Sequence, residues 1–337
     1  MSAFSNEKHF DAVEYLANRP QYSQTFIDLI RTWHDKGTAK YDDVLDIGCG
    51  PGQTAYRLAE LFKNTVGVDP SPVMLAAAQD PAVPAHLGVS VPTGHQLSFK
   101  QSKGESTGLP DGSFDLINAA TSAHWLPWQK DASGGAIWKE MARLLRPGGS
   151  LVFAGYVSVV LPGHGLITDR MDEFVRSPEG FALASDRSDE LNPHMIGYTF
   201  YKTMPPPPEP YFDASQTTML RLCVRFNDNF HITASDIPPV PDWARSAGLS
   251  AGPDTAVVTK KGSLRSLALF LRSTSAWPRY VDEHPEEKEL EKTCEDLPFR
   301  LLEKWRREEE QKTGKLLDLD EEVEFVYPTA MLFARKR

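Results

Sequence analysis

Apolar positions along the first third of the chain switch repeatedly between two periods. Phe26, Ile27, Ile30 and Trp33 recur at helical spacing, and Tyr56, Leu58, Ala59, Leu61 and Phe62 do the same over Thr54 to Phe62. Between them Val44 to Ile47 is a short apolar run that ends in glycines. Thr65 to Val68 reads as a strand, Pro72 to Ala78 as a helix start, Leu97 to Lys100 as a weak strand and Phe114 to Ala119 as a stronger one. Ile137 to Leu145 is helical, Arg146-Pro147-Gly148-Gly149 predicts a turn, and Leu151 to Val160 predicts a strand. Strands alternating with helices imply a parallel sheet covered on both faces.

The rhythm breaks after Leu161. Residues 161–245 hold the proline run Pro205 to Pro208 and a second cluster at Pro238, Pro239 and Pro241. Proline lacks the N–H that a ladder or helix interior needs, so these runs are loops or extended links. Tyr198, Phe200, Tyr201, Tyr211, Phe212, Phe226 and Phe230 lie in the same stretch. That is too much aromatic surface for a linker, and the region reads as a cap inserted over the ligand edge of the sheet. Residues 262–272 read as helical. His284 to Lys312 is a charged amphipathic stretch in which Pro298 kinks a helix or starts a second one, and Val323 to Phe333 reads as a closing strand. The domain expectation is therefore a core at 1–160, a cap at 161–245 and a return to the core at 246–337.

With 337 residues the chain can bury a full core without disulfides or a structural metal. Its net charge of −10 disfavours nucleic acid or an anionic membrane as the main partner. Cys49, Cys223 and Cys294 are odd in number and widely spaced, which fits neither a disulfide framework nor a zinc site. No His/Asp/Glu cluster has metal-ligand spacing, so no metal is expected. Met1 to Phe10 has no apolar signal-peptide core, and Leu151 to Leu161 is too short to span a bilayer. The expectation is a cytoplasmic protein.

The chemistry concentrates where Val44 to Ile47 runs into Gly48-Cys49-Gly50-Pro51-Gly52 and then a helix from Gln53. Glycines there allow a tight turn and close approach of backbone to a ligand. The carboxyl edge of a parallel sheet is where nucleotide-like ligands bind. Asp69 ends the next strand, where a carboxylate can accept hydrogen bonds from two ribose hydroxyls. Glu105 follows the weak strand and can accept from an adenine amino group. A nicotinamide dehydrogenase shares part of this pattern, but its fingerprint is G-x-G-x-x-G. Here Asp46 precedes Gly48-x-Gly50-x-Gly52, and Arg146-Pro147-Gly148-Gly149 stands before a fifth strand.

These elements, in this order, resemble the class I S-adenosylmethionine-dependent methyltransferases. The resemblance covers about residues 10–157 well. It implies a doubly wound, mostly parallel seven-stranded α/β sheet of Rossmann-like type, with S-adenosylmethionine as cosubstrate. It assigns Asp46, Gly48, Gly50 and Gly52 to the cofactor loop and Asp69 to the ribose. Glu105 and Ser106 flank the adenine, and Ala120 and Thr121 border the methionine part. Tyr15 to Tyr22 contains Arg19-Pro20-Gln21-Tyr22, similar to an R-P-x-Y segment of trans-aconitate methyltransferase-like proteins. That similarity makes Tyr15 and Arg19 candidates for the cofactor's carboxylate. Ala119 to Trp125, ending in His-Trp, resembles the same group. Phe270 to Trp277 is similar to a T-W-S-A-Y segment of its fungal members, with Thr274 in place of the Trp and Trp277 in place of the Tyr.

The activity implied is methyl transfer to a small-molecule acceptor of specialised metabolism carrying a carboxylate, thiol or hydroxyl. His124 is the candidate base and Tyr156 a candidate for orienting the acceptor. His164, Arg221, Arg225 and His231 are further cationic candidates in or near the cap. The competing expectation is a non-catalytic protein of the same fold, since fold alone does not guarantee activity.

Overall fold

The structure is a computed structural model, and it describes residues 12–38, 40–128, 135–156, 158–176, 191–223, 233–249, 255–274 and 276–337. Arg225, Phe226, Phe230 and His231 lie outside the described residues. Ten strands are described in chain order: β1 (Gln21–Tyr22), β2 (Asp43–Ile47), β3 (Asn64–Asp69), β4 (Gln96–Gln101), β5 (Phe114–Ala120), β6 (Leu145–Tyr156), β7 (Thr218–Leu222), β8 (Val258–Ser263), β9 (Glu322–Val326) and β10 (Thr329–Arg335). The chain divides into two compact units.

The larger unit comprises the described residues of 22–157, 187–258 and 328–337. It holds a seven-stranded sheet in the order β4-β3-β2-β5-β6-β10-β7. β4, β3, β2, β5 and β6 run parallel. β10 is antiparallel to both β6 and β7. This is the mostly parallel, doubly wound sheet that the alternation of elements predicts. β2 is central, and its Val44, Leu45, Asp46 and Ile47 are all buried. Both faces of a central parallel strand are covered by crossover helices, so its near-continuous apolar run is what burial requires. At the edge, β4 is largely exposed and alternates accordingly.

Helix Gln24–Asp35 begins at Ser23, whose side chain accepts from the Phe26 N–H, and it buries Phe26, Ile27, Leu29, Ile30 and Trp33. Helix Gly135–Leu144 buries Ile137, Trp138 and Met141 in a core shared with Phe153 and Phe212. Trp138 stacks on Phe153 with centroids 5.7 Å apart.

The smaller unit comprises the described residues of 1–21, 158–186 and 259–327. Its sheet has the order β1-β8-β9, with β8 and β9 antiparallel. Helix Leu297–Thr313 carries Pro298 in its first turn, where the missing N–H costs nothing. It buries Phe299, Leu302 and Trp305.

Four local expectations change. Residues 258–263 are strand β8, and the helix begins only at Ser266 and ends at Arg272. The apolar run at the C-terminal end is two strands in different sheets, β9 and β10, interrupted at Tyr327-Pro328 because proline cannot donate to the ladder. Arg146 to Gly149 does not separate helix from strand. It is an insert within β6, because Leu145 pairs with Phe114 while Ser150 already pairs with Leu116. The insert is fixed by Arg146, whose guanidinium donates to Asp115 and Asp43 at 2.7 Å each. Finally, Thr218 to Leu222, inside the proline-rich stretch, forms the edge strand β7.

Candidate functional site

The carboxyl ends of β2, β3 and β5 bring the candidate residues of the larger unit together. Past Ile47 the chain turns through Gly48, Gly50 and Gly52 at φ of +62°, +51° and +87°. This left-handed region favours glycine, since a Cβ there crowds the carbonyl. Each glycine meets a different neighbour. A Cβ at Gly48 would run into the Ser122 side chain, with Oγ at 2.9 Å. At Gly52 it would press on Tyr56 and Phe99 at 3.0 and 3.2 Å. At Gly50, among the described residues, it would meet nothing closer than Met74 Sδ at 3.9 Å. Gly50 thus faces open space that a side chain would fill.

Asp69 braces this loop. Its Oδ2 accepts from the Gly50 N–H at 2.9 Å and its Oδ1 from the Ser71 N–H at 2.8 Å. Burial raises the carboxyl's pKa, and the two backbone hydrogen bonds pull it back. Each oxygen accepts one of these bonds and keeps a second lone pair.

Asp46 has a different place. It is fully buried in β2, where its Oδ2 accepts from Thr54 Oγ1 and its Oδ1 from Asn118 Nδ2, both at 2.7 Å. The carboxyl ties the start of helix Gln53–Ala59 to strand β5. Burial pushes its pKa up to about 6, against the pull of Thr54 and Asn118. Cys49, buried in the same loop, has its thiol pushed up by burial, with Asp46 and Asp69 adding to the effect.

Beyond β4, Lys103 and Ser106 are bridged, and the Ser106 N–H donates to the Lys103 carbonyl at 3.3 Å. A Cβ at Gly104 would lie 2.6 Å from Leu126 Cδ2 and 2.7 Å from Ile47 Cγ2, so this turn sits against the end of β2. Glu105 is half-buried at its tip and Ser106 is exposed. Ala120 ends β5. Thr121 follows at φ +54°, a strained value for a β-branched residue. It is held by its N–H to the Ala154 carbonyl at 2.6 Å and by a 2.9 Å hydrogen bond between its Oγ1 and the Tyr22 hydroxyl. Strain of this kind concentrates at functional sites. The Tyr156 ring at the end of β6 is 6.4 Å from that of Tyr22. His124 stands in the 3₁₀ turn Ala123–Trp125, with Trp125 beside it at 5.4 Å and exposed. Trp125 in turn meets His194 edge-on at 5.3 Å.

The segment of β2, the glycine loop, β3, β5 and β6 matches a family model described as a methyltransferase domain, over residues 45–153. Residues 45–153 thus match a methyltransferase domain, a stretch shorter than half of the chain.

Curated relatives are described as methyltransferases too. A Dictyostelium discoideum protein described as a methyltransferase is 33% identical over 140 residues, 41% of this chain and 44% of that protein. A Saccharomyces cerevisiae protein described as an S-adenosylmethionine-dependent methyltransferase is 27% identical over 151 residues, 44% of this chain and 47% of that protein. A trans-aconitate 2-methyltransferase of Streptomyces coelicolor is 29% identical over 189 residues, 51% of this chain and 58% of that protein. The chain spans about half the length of the curated relatives it matches. A solved structure described as a type II methyltransferase, from Anaeromyxobacter dehalogenans, matches with a TM-score of 0.55 at 18% identity. It covers 94% of this chain and 97% of that one, which is a likeness of fold.

Two predicted site residues belong to the smaller unit. Arg19 is buried there, donates from Nη2 to the Ser273 carbonyl at 2.7 Å and lies over the rings of Tyr15 and Phe270 at 4.9 and 5.4 Å. The R-P-x-Y segment and the Phe270 to Trp277 segment, far apart in sequence, therefore meet through Arg19. His164 is half-buried in this unit, and in the larger unit Arg221 donates to the Phe200 and Asp236 carbonyls. Among residues that sequence reasoning passed over, Tyr22, Ser71, Asn118 and Ser122 all organise the site. Tyr22 was within reach as the last residue of the R-P-x-Y segment. Asn118 and Ser122 carry no pattern that separates them from ordinary strand and loop residues. Among the described residues no helix is long and apolar enough to cross a membrane.

Proposed function

We propose that the protein transfers the methyl group of S-adenosylmethionine to a small-molecule acceptor bearing a carboxylate, thiol or hydroxyl nucleophile. The observation that carries this reading is the glycine loop: open at Gly50 among the described residues, turned through left-handed conformations that glycine adopts readily, and pinned by Asp69 through the Gly50 N–H. The donor set suits the cosubstrate. Asp69 keeps lone pairs for ribose hydroxyls, and Glu105 offers a carboxylate for the adenine amino group, with Ser106 beside it. Gly48, Gly50 and Gly52 leave backbone open to approach, Asp46 holds their loop, and Ala120 and Thr121 border the methionine portion. Tyr15 and Arg19 would meet that portion's carboxylate, a role the R-P-x-Y resemblance supports and Arg19's charge suits.

When bound, S-adenosylmethionine supplies a sulfonium-activated methyl carbon open to in-line displacement. The protein's task is then alignment, which in well-oriented systems is worth about 7–11 kcal/mol. A carboxylate acceptor is already ionised at neutral pH and needs no base. A thiol or hydroxyl is mostly protonated, and His124 would take its proton. Tyr156 would orient the acceptor.

A small organic acid or thiol is the acceptor class this reading favours, and the name of the Streptomyces coelicolor relative supports the acid. In the same reading the setting is cytoplasmic. The odd number and wide spacing of Cys49, Cys223 and Cys294 support a reducing compartment. The test is S-adenosylhomocysteine release with di- and tricarboxylates, small dithiols and phenols. Release on one class supports the reading and names the nucleophile. Binding of the cosubstrate without release on any class would favour a non-catalytic protein.

A further inference from the structure

The turn that carries Glu105 and Ser106 is anchored from a helix elsewhere in the chain. Thr107 is buried, and both its N–H and its Oγ1 donate to Glu140 Oε1, at 2.9 and 2.7 Å. Glu140 lies on helix Gly135–Leu144, whose apolar face is locked into the sheet by Ile137, Trp138 and Met141. Its side chain is only 11% exposed. Arg143, one turn on, donates from Nε to Oε2 and from Nη2 to Oε1, both at 2.8 Å. The same guanidinium donates to the Leu109 carbonyl at 2.7 Å and to Asp111. From the strand side, Ser102 Oγ, with one proton to donate, faces the carbonyls of Thr107, Lys103 and Ser106 at 3.1, 3.2 and 3.3 Å. On the third side Gly104 packs against Ile47 and Leu126. The exposed tip of the turn is thus fixed at both ends before any ligand arrives.

We infer that Glu140, oriented by Arg143, is a positioning residue that presets the 103–107 turn for the adenine end of the cosubstrate. This rests on the reading that the turn faces adenine. Glu140 itself touches no ligand. It acts through Thr107, two residues from Glu105. A polar turn that had to order itself on binding would lose affinity to conformational entropy, and a preset one does not. Because Oε1 accepts both Thr107 donors, removing the carboxylate leaves a buried N–H and a hydroxyl without their partner. Arg143 neutralises Glu140, so the anchor adds no unpaired negative charge beside Glu105.

The readout is discrimination at the adenine 6-amino group rather than affinity alone. Binding of S-adenosylhomocysteine and of S-inosylhomocysteine, in which an oxygen replaces that amino group, is measured by calorimetry for the wild type, Glu140→Ala and Glu140→Gln. The wild type is expected to prefer the adenosyl form about tenfold, the worth of one hydrogen bond to a charged group. Glu140→Ala is expected to weaken the adenosyl form about tenfold and bring the preference close to one. Glu140→Gln still offers an oxygen to Thr107 and is expected to fall between them. Thr107→Val, which removes one of the two donations, gives a smaller loss of preference, about threefold, and serves if Glu140→Ala does not fold. Equal losses on both ligands, or an unchanged preference in Glu140→Ala and Thr107→Val, would overturn the inference while leaving the cosubstrate assignment standing. A folded wild type that binds neither ligand would overturn both.

Discussion

Replacing Gly50 with alanine separates the glycine loop's contribution to folding from its contribution to binding. Gly48 and Gly50 have similar left-handed φ, +62° and +51°. An L-residue in that region costs about 1–2 kcal/mol. At Gly50 that is the structural cost, because among the described residues the added Cβ has only Met74 Sδ nearby, at an ordinary contact distance of 3.9 Å. At Gly48 the new methyl also collides with Ser122, whose Oγ donates to the Ile47 carbonyl at 2.6 Å. Overpacking adds about 1–3 kcal/mol, for a total of about 2–5 kcal/mol. Urea melts should therefore rank Gly48→Ala well below Gly50→Ala in stability. Binding should rank differently from stability. The methyl at Gly50 fills the space kept for the ligand, and a clash worth about 3 kcal/mol would weaken S-adenosylmethionine by roughly 100-fold. Calorimetry on the folded Gly50→Ala protein measures this. Affinity within about threefold of wild type would refute the claim that the ligand's path runs over Gly50.

Two further substitutions test the electrostatics and the chemistry. Asp46 has a folded-state pKa raised from 3.8 to about 6, so it stabilises the fold fully below pH 3.8 and loses that contribution as pH rises through 6. Asp46→Asn does not titrate, so the stability difference between variant and wild type should move towards the variant by about 2 kcal/mol between pH 4 and 7, and a constant difference in denaturant melts across that range would refute the burial argument. His124→Ala should slow turnover of a thiol or phenol acceptor by about 10²–10⁴-fold while sparing a carboxylate acceptor, and an equal effect on all classes would make His124 a packing residue.

Much of the larger unit is legible in the sequence because its elements obey period rules. Buried parallel strands must be mostly apolar, and Val44 to Ile47 and Phe114 to Ala119 are so apart from Asp46, Asp115 and Asn118, each of which is hydrogen-bonded. The loop glycines are legible for a related reason, since alternate glycines after a strand report backbone that a Cβ would spoil. The failures are equally physical. Val258 to Ser263 has no apolar alternation strong enough to separate a strand from the helix that follows. β7 hides in a proline-rich stretch because a short edge strand needs ladder partners, supplied by β10, rather than a pattern of its own. Tyr327-Pro328 divides what hydropathy alone joins. At the site, Asp46 sits beside the glycines in sequence, yet its carboxyl turns inward to Thr54 and Asn118. Spacing places a residue near a loop, but only the fold says which way its side chain points. Asn118, Glu140 and Thr107 act through partners 33 to 72 residues away, and no local pattern encodes such pairings.

The central claim is that the loop braced by Asp69 binds S-adenosylmethionine. The most direct measurement is calorimetric titration of the folded wild type and of Asp69→Ala with S-adenosylmethionine. The account predicts one site in the wild type, competed by S-adenosylhomocysteine, and at least about tenfold weaker binding in the variant, which loses the acceptor for the Gly50 and Ser71 N–H groups along with the ribose contact. A folded wild type that gives no binding, or an Asp69→Ala protein that binds as the wild type does, would contradict it.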